Sequence, residues 1–241
     1  MNRQRVWDLP IRLFHWSLVI SIVFAYVSGQ IGGNLIDWHG RAGFLIVGLV
    51  VFRIVWGLIG SPTARFASFV RGPGAIRAYL RGEWRGIGHN PIGALSVLGL
   101  LALVAAQATT GLFTNDDIAY QGPLADLVGK DQSDRFHSLH AWLQNGLLAL
   151  VVLHVGAIVF YLHVKKENLV KPMITGWKEV TPQAARACTS PTPVPAPRGG
   201  GFPAFIIAVL IAAGATYAAA GGLLPATPAA PAQPAAAAPA W

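Results

Sequence analysis

Charge and cysteine are both scarce in this chain. Only 12% of its 241 residues are Asp, Glu, Lys or Arg, about half the share usual for a soluble domain. A single cysteine, Cys188, excludes an internal disulfide, a cluster held by several thiolates and a Cys-x-x-Cys-His attachment of a covalent porphyrin. No internal repeat is visible, and no paired broken helices suggest a transporter. No phosphate loop, metalloprotease motif or nucleophile–base pair stands out, and Ser138, between two histidines, has no carboxylate placed behind either. Hydrolytic chemistry is not expected. No cleavable leader is evident, because the first apolar stretch runs to spanning length without a small-residue cleavage site.

Apolar sequence is abundant. Hydrophobic residues make up 54% of the chain and the mean hydropathy is +0.50. Four strong segments, 13–30, 40–59, 91–112 and 139–162, each run about 20 residues, enough to cross ~30 Å of hydrocarbon at 1.5 Å per residue. A fifth, 202–224, is rich in Ala and Gly. The expected class is an all-α membrane protein. Residues 1–180 form a four-helix transmembrane bundle, 181–201 a Pro/Ala/Gly-containing linker, 202–224 an extra transmembrane helix and 225–241 a Pro/Ala-rich tail with too little to bury a core.

The net charge of +8 is explained by its distribution. Arg3, Arg5 and Arg12 precede or begin the first span. Arg65, Arg71, Arg77, Arg81 and Arg85 lie between the second and third, and Lys165, Lys166, Lys171 and Lys178 follow the fourth. Four crossings put all three groups on one side. The opposite side carries Asp116, Asp117, Asp126, Asp131 and Asp134 against Lys130 and Arg135, with Asp37 and Arg41 in a short turn. The positive-inside rule then sets the amino terminus in the cytoplasm of a bacterial inner membrane. The basic excess is a topology signal, and nucleic acid is not an expected partner.

The seven histidines are the chemical content. His140 and His154 are fourteen residues apart on the fourth span, close to four whole turns. They share a face and are separated by about 21 Å along the axis. In this topology His15, early in the first span, matches the depth of His154, and His39, early in the second, matches His140. Each pair can clamp one flat macrocycle between two helices, with imidazole as the axial ligand of a haem iron. Two such centres across a bilayer serve electron movement, and two axial histidines leave no open iron position. Zinc is disfavoured because its ligands gather in one small sphere.

His137 competes with His140, but its spacing of seventeen to His154 rotates it about 100° off the shared face, so it is read as interfacial. His163 is read as part of a positively disposed helix C-terminus beside Lys165 and Lys166, with a quinone or propionate contact as the alternative. His89 sits in a polar loop and is read as solvated. Arg53, within the second span, either meets a haem propionate or snorkels to the interface. Arg41, beside His39, is a second candidate for a propionate. Gly29, Gly43, Gly48, Gly99 and Gly111 allow close approach of helices or a macrocycle.

The run Val6-Trp7-Asp8-Leu9-Pro10-Ile11-Arg12-Leu13-Phe14-His15-Trp16 resembles the opening motif of bacterial cytochrome b561-type proteins and of the b-type cytochrome subunits of nickel–iron hydrogenases. Asp37-Trp38-His39-Gly40-Arg41-Ala42-Gly43, the spacing of His140 and His154, and Lys166-Glu167-Asn168-Leu169-Val170-Lys171-Pro172-Met173-Ile174-Thr175-Gly176 extend the resemblance over about residues 3–178. It implies two non-covalent b haems ligated by His15, His39, His140 and His154. It also implies electron exchange between a membrane quinone and a partner, either a hydrogenase or other oxidoreductase subunit or a periplasmic c-type cytochrome. The fifth segment and the tail lie outside the four-helix pattern, and residues 202–224 are a candidate contact with a larger complex. The alternative function is that of a structural or anchor subunit of a respiratory, hydrogenase or photosynthetic complex.

Overall fold

The computed structural model describes residues 2–83, 90–118, 120–180 and 200–225. Its elements in order are β1 (Asn2–Arg5), α1 (Leu9–Ile31), α2 (Ile36–Ile59), α3 (Phe66–Phe69), α4 (Pro73–Leu80), α5 (Pro91–Phe113), α6 (Lys130–His163), α7 (Val170–Thr175), β2 (Trp177–Val180) and α8 (Phe202–Ala219). Among the described residues, five helices are long and apolar enough to cross a membrane: α1, α2, α5, α6 and α8. His89, Cys188 and most of the linker and tail lie outside the described residues.

Local chemistry sets the helix ends. Asp8 accepts from the Ile11 amide at 2.8 Å and so N-caps α1, with a proline in its first turn. Asn90 does the same for α5 through the Gly93 amide at 2.7 Å. Gly32 and Gly33 have φ of +67° and +55°, the left-handed region open to glycine, and they reverse the chain between α1 and α2. The largest departure from the hydropathy reading is at α6, which starts at Lys130 instead of Leu139. At 34 residues it is about 51 Å long, so its polar first turns project beyond a hydrocarbon slab.

α2 is the central helix, packed by α1, α5 and α8, while α6 packs on α5. One apolar core joins Ile11 and Phe14 of α1, Phe52 and Trp56 of α2, and Ala208 and Ala212 of α8. A second joins Ile46 and Val50 of α2 to Val104 of α5. Large apolar side chains such as Ile20, Trp142, Leu153 and Leu210 point outward, as lipid-facing residues do.

The small-residue face of α8 is turned into the chain's own bundle. Ala208 is fully buried, and the Thr216 hydroxyl fills the space where Gly48 of α2 has no side chain. Phe205 meets Phe52 and Trp56 edge-on at 6.0 and 6.1 Å. Small residues let the backbones close up, which is how apolar helices gain dispersion energy in lipid.

β1 and β2 form an antiparallel pair, with Asn2 opposite Val180 and Arg5 opposite Trp177. The Val6 amide donates to the Gly176 carbonyl at 2.9 Å. The entry to α1 and the segment after α6 are therefore tied at one end of the bundle, as an even number of crossings between them requires.

Candidate haem sites

Two cavities open between the α1–α2 and α5–α6 pairs. α1 and α6 scarcely touch, and the gap between them holds the histidines. The first cavity is lined by His39 and His140 with Gly43, Ile46, Val104 and Gln107. The second is lined by His15 and His154 with Trp7, Trp16, Asn90 and Met173. The depth-matched pairs are thus brought together in two separate places, one at each end of the bundle.

The first cavity has the more defined hydrogen bonding. His39 Nδ1 lies 2.7 Å from the Ala25 carbonyl oxygen, and His140 Nδ1 lies 2.9 Å from that of Gln107. A carbonyl oxygen only accepts, so each Nδ1 carries the proton and each Nε2 keeps its lone pair. The two ring centroids are 6.1 Å apart with planes at 82°. These two imidazoles would hold a haem between them through their Nε2 atoms. Both rings lie hard against glycines. A Cβ on Gly29 would come within 2.8 Å of His39 Nδ1, and one on Gly111 within 3.0 Å of His140 Cε1.

The Gln107 side-chain amide donates to His140 Nε2 at 3.0 Å, and its Oε1 is buried without a hydrogen-bond partner among the described residues. Turning that side chain away would free the His140 lone pair to hold a haem. Tyr120, from the loop before α6, covers Gly40 and stands edge-on to His39 at 6.5 Å. Burial raises its phenol above the ordinary value, and the nearby Asp37 carboxylate adds to the rise.

In the second cavity His15 meets Trp16 edge-on at 5.1 Å. Its Nδ1 is buried and, among the described residues, has no hydrogen-bond partner. The cavity is closed at its end by Val6, Trp7 and the segment 169–173. Trp16 Nε1 donates to the Met173 carbonyl at 3.3 Å, and Arg12 Nη1 donates to that of Ile174 at 2.5 Å. In both cavities the donor set, two facing imidazoles in an apolar slot, would fit a haem.

The remaining sequence candidates sit elsewhere. Arg53 is buried, but it lines neither cavity. It donates to the Ala64 carbonyl at 3.2 Å and lies over the Phe66 ring at 4.5 Å and the Phe69 ring at 6.0 Å. Arg41 is exposed and stacks over Trp38 at 4.7 Å. His137 Nδ1 pairs with the Thr114 hydroxyl at 3.0 Å, off the cavity face, and His163 is exposed at the end of α6.

Asp8 was not singled out from the sequence as a site residue. Buried, it accepts from Trp56 Nε1 at 3.0 Å and from the Ser61 hydroxyl, which fixes the start of α1 to the end of α2 about two turns below the His15 level. Its place just before Leu9-Pro10 is a helix-start signature that carried the information.

The family model for prokaryotic cytochrome b561 matches residues 6–176, the stretch from the start of α1 to the end of α7. The chain belongs to that family. It is a b-type cytochrome of electron transfer and a multi-pass membrane protein. It is 26% identical over 214 residues to the probable Ni/Fe-hydrogenase B-type cytochrome subunit of Azotobacter chroococcum mcd 1, covering 72% of this chain and 87% of that protein. It is 20% identical over 216 residues to the probable Ni/Fe-hydrogenase 1 B-type cytochrome subunit of Escherichia coli (strain K12), covering 72% and 89%. Against the corresponding Rhodobacter capsulatus protein the figures are 23% over 210 residues, covering 71% and 79%. No solved structure matches this cytochrome.

Proposed function

We propose that this cytochrome binds two b haems, one between His39 and His140 and one between His15 and His154, and carries electrons across the membrane between quinone and a partner redox protein. The observation that supports it is the pairing of four histidines into two apolar cavities on one bundle. Each haem supplies a reversible one-electron couple. The chain supplies the position, the dry surroundings and two neutral imidazole ligands for each iron. The carbonyls of Ala25 and Gln107 hold the Nδ1 protons of His39 and His140 and aim both Nε2 atoms into the cavity. Trp7 and Trp16 help close the other site.

The basic loops put the β1–β2 end in the cytoplasm and the acidic loop outside. In that orientation the outer face, with Asp116, Asp117, Asp126, Asp131 and Asp134, fits a basic c-type cytochrome or an oxidoreductase subunit. The names of the relatives favour a second reading, in which the chain anchors a hydrogenase-like enzyme and takes its electrons. Arg41 and Arg53 then act in structure, through Trp38 and the Phe66–Phe69 pair, with the propionates held elsewhere. Residues 1–180 are the haem-bearing unit and α8 is an accessory helix.

Haem quantified as its pyridine adduct, against protein, should give two per chain. His154→Ala should lose the haem between α1 and α6 and keep the other, and His39→Ala should do the reverse. Retention of both haems in either variant would overturn the ligand assignment.

A further inference from the structure

A b haem brings two carboxylates as well as iron, and a carboxylate at the edge of an apolar slot is costly without a cation or several N–H donors. Neither arginine expected for that task lines a cavity. Of the residues lining the two cavities, one is a lysine or arginine: Lys178, in the His15–His154 cavity. It lies beyond the last residue of the family match, Gly176, in strand β2, and it is brought to the cavity by pairing with Gln4 of β1.

The strand explains its direction. Side chains alternate along β2. Trp177 is 47% exposed, and the Glu179 side chain is 44% exposed and pairs with Lys171 on the outside. The side chain of Lys178, between them, is 26% exposed and faces the cavity. Its ammonium donates to Glu167 Oε1. An ammonium has three N–H donors, so two remain for another acceptor while Glu167 holds the group in place.

We infer that Lys178 is a haem-positioning residue that pairs with a propionate of the haem between His15 and His154, and that Glu167 orients it. This rests on the two-haem reading above. A cation beside a haem disfavours the oxidised iron, which carries one more positive charge, and an anion does the opposite. Lys178 therefore raises the potential of that haem and Glu167 lowers it.

The test is a spectroelectrochemical titration of the full-length purified protein, with haem per chain measured first and the His15–His154 step identified by its loss in His154→Ala. Lys178→Gln should shift that step to lower potential by about tenfold in the reduction equilibrium and leave the other step in place. Glu167→Gln should move the same step upward, and Lys178→Arg should restore the wild-type position. An unmoved step in Lys178→Gln, or shifts of the same sign in Lys178→Gln and Glu167→Gln, would overturn the assignment while two haems per chain left the parent reading standing. One haem per chain in the wild type would sink the parent reading. The lysine assignment then holds if that single step falls in Lys178→Gln and is lost if it does not.

Discussion

Neither Gly29 nor Gly111 has room for a methyl group, because each lies under the imidazole of His39 or His140. Adding one forces the ring or the helix to shift, at a cost of about 1–3 kcal/mol. Gly29→Ala and Gly111→Ala should each lower the haem content of the His39–His140 site, seen as loss of one redox step, while the His15–His154 step persists. Gly43, which lines the same cavity with open space around it, is the matched control, and Gly43→Ala should be milder. At this scale the histidine pairs were legible in the sequence, because helical spacing and span direction set depth without any tertiary information. The protein contacts of the arginines were not. Arg53 looks like an unpartnered charge in an apolar run, and its partners, Ala64, Phe66 and Phe69, come from the following loop. Lys178 read as one more loop cation, because only the pairing of two distant segments turns it inward.

Among the elements, α8 touches neither cavity and lies along α2 through Ala208, Ala212 and Thr216. Ala208→Leu should push α8 off α2 and cost about 1–3 kcal/mol from overpacking, read as a lower midpoint of thermal unfolding in detergent. The haem spectrum of the folded protein should not change, and a lost redox step would show that α8 supports a site. The apolar segments were all legible by hydropathy, since lipid demands continuous apolar surface. The polar start of α6 was not, because residues 130–138 carry no apolar run. β1 was likewise hidden, being four polar residues that become a strand only against β2.

The whole molecule has a clasp at one end, where β1 meets β2, and a loop bearing Tyr120 at the other. Single cysteines at Arg3 and Glu179, introduced after Cys188→Ser, should react with an impermeant thiol reagent from the same side of the membrane. A cysteine at Asp126 should react from the opposite side. Labelling of Arg3→Cys and Glu179→Cys from different sides would be incompatible with the strand pair, and labelling of both from outside would invert the orientation drawn from the charges. That orientation came entirely from the placement of Lys and Arg, which physical chemistry ties to the cytoplasmic face.

α6 is unbroken from Lys130 to His163 and supplies one histidine to each cavity. It works as a ruler. The offset of His140 from His154 is held by a continuous ladder of backbone hydrogen bonds. One residue inserted between them would turn the second ring by about 100° and misalign a centre even with every original side chain still present. Electron tunnelling falls steeply with gap length, so in the proposed two-haem arrangement a rod of constant pitch would fix the length of the hop between the two centres.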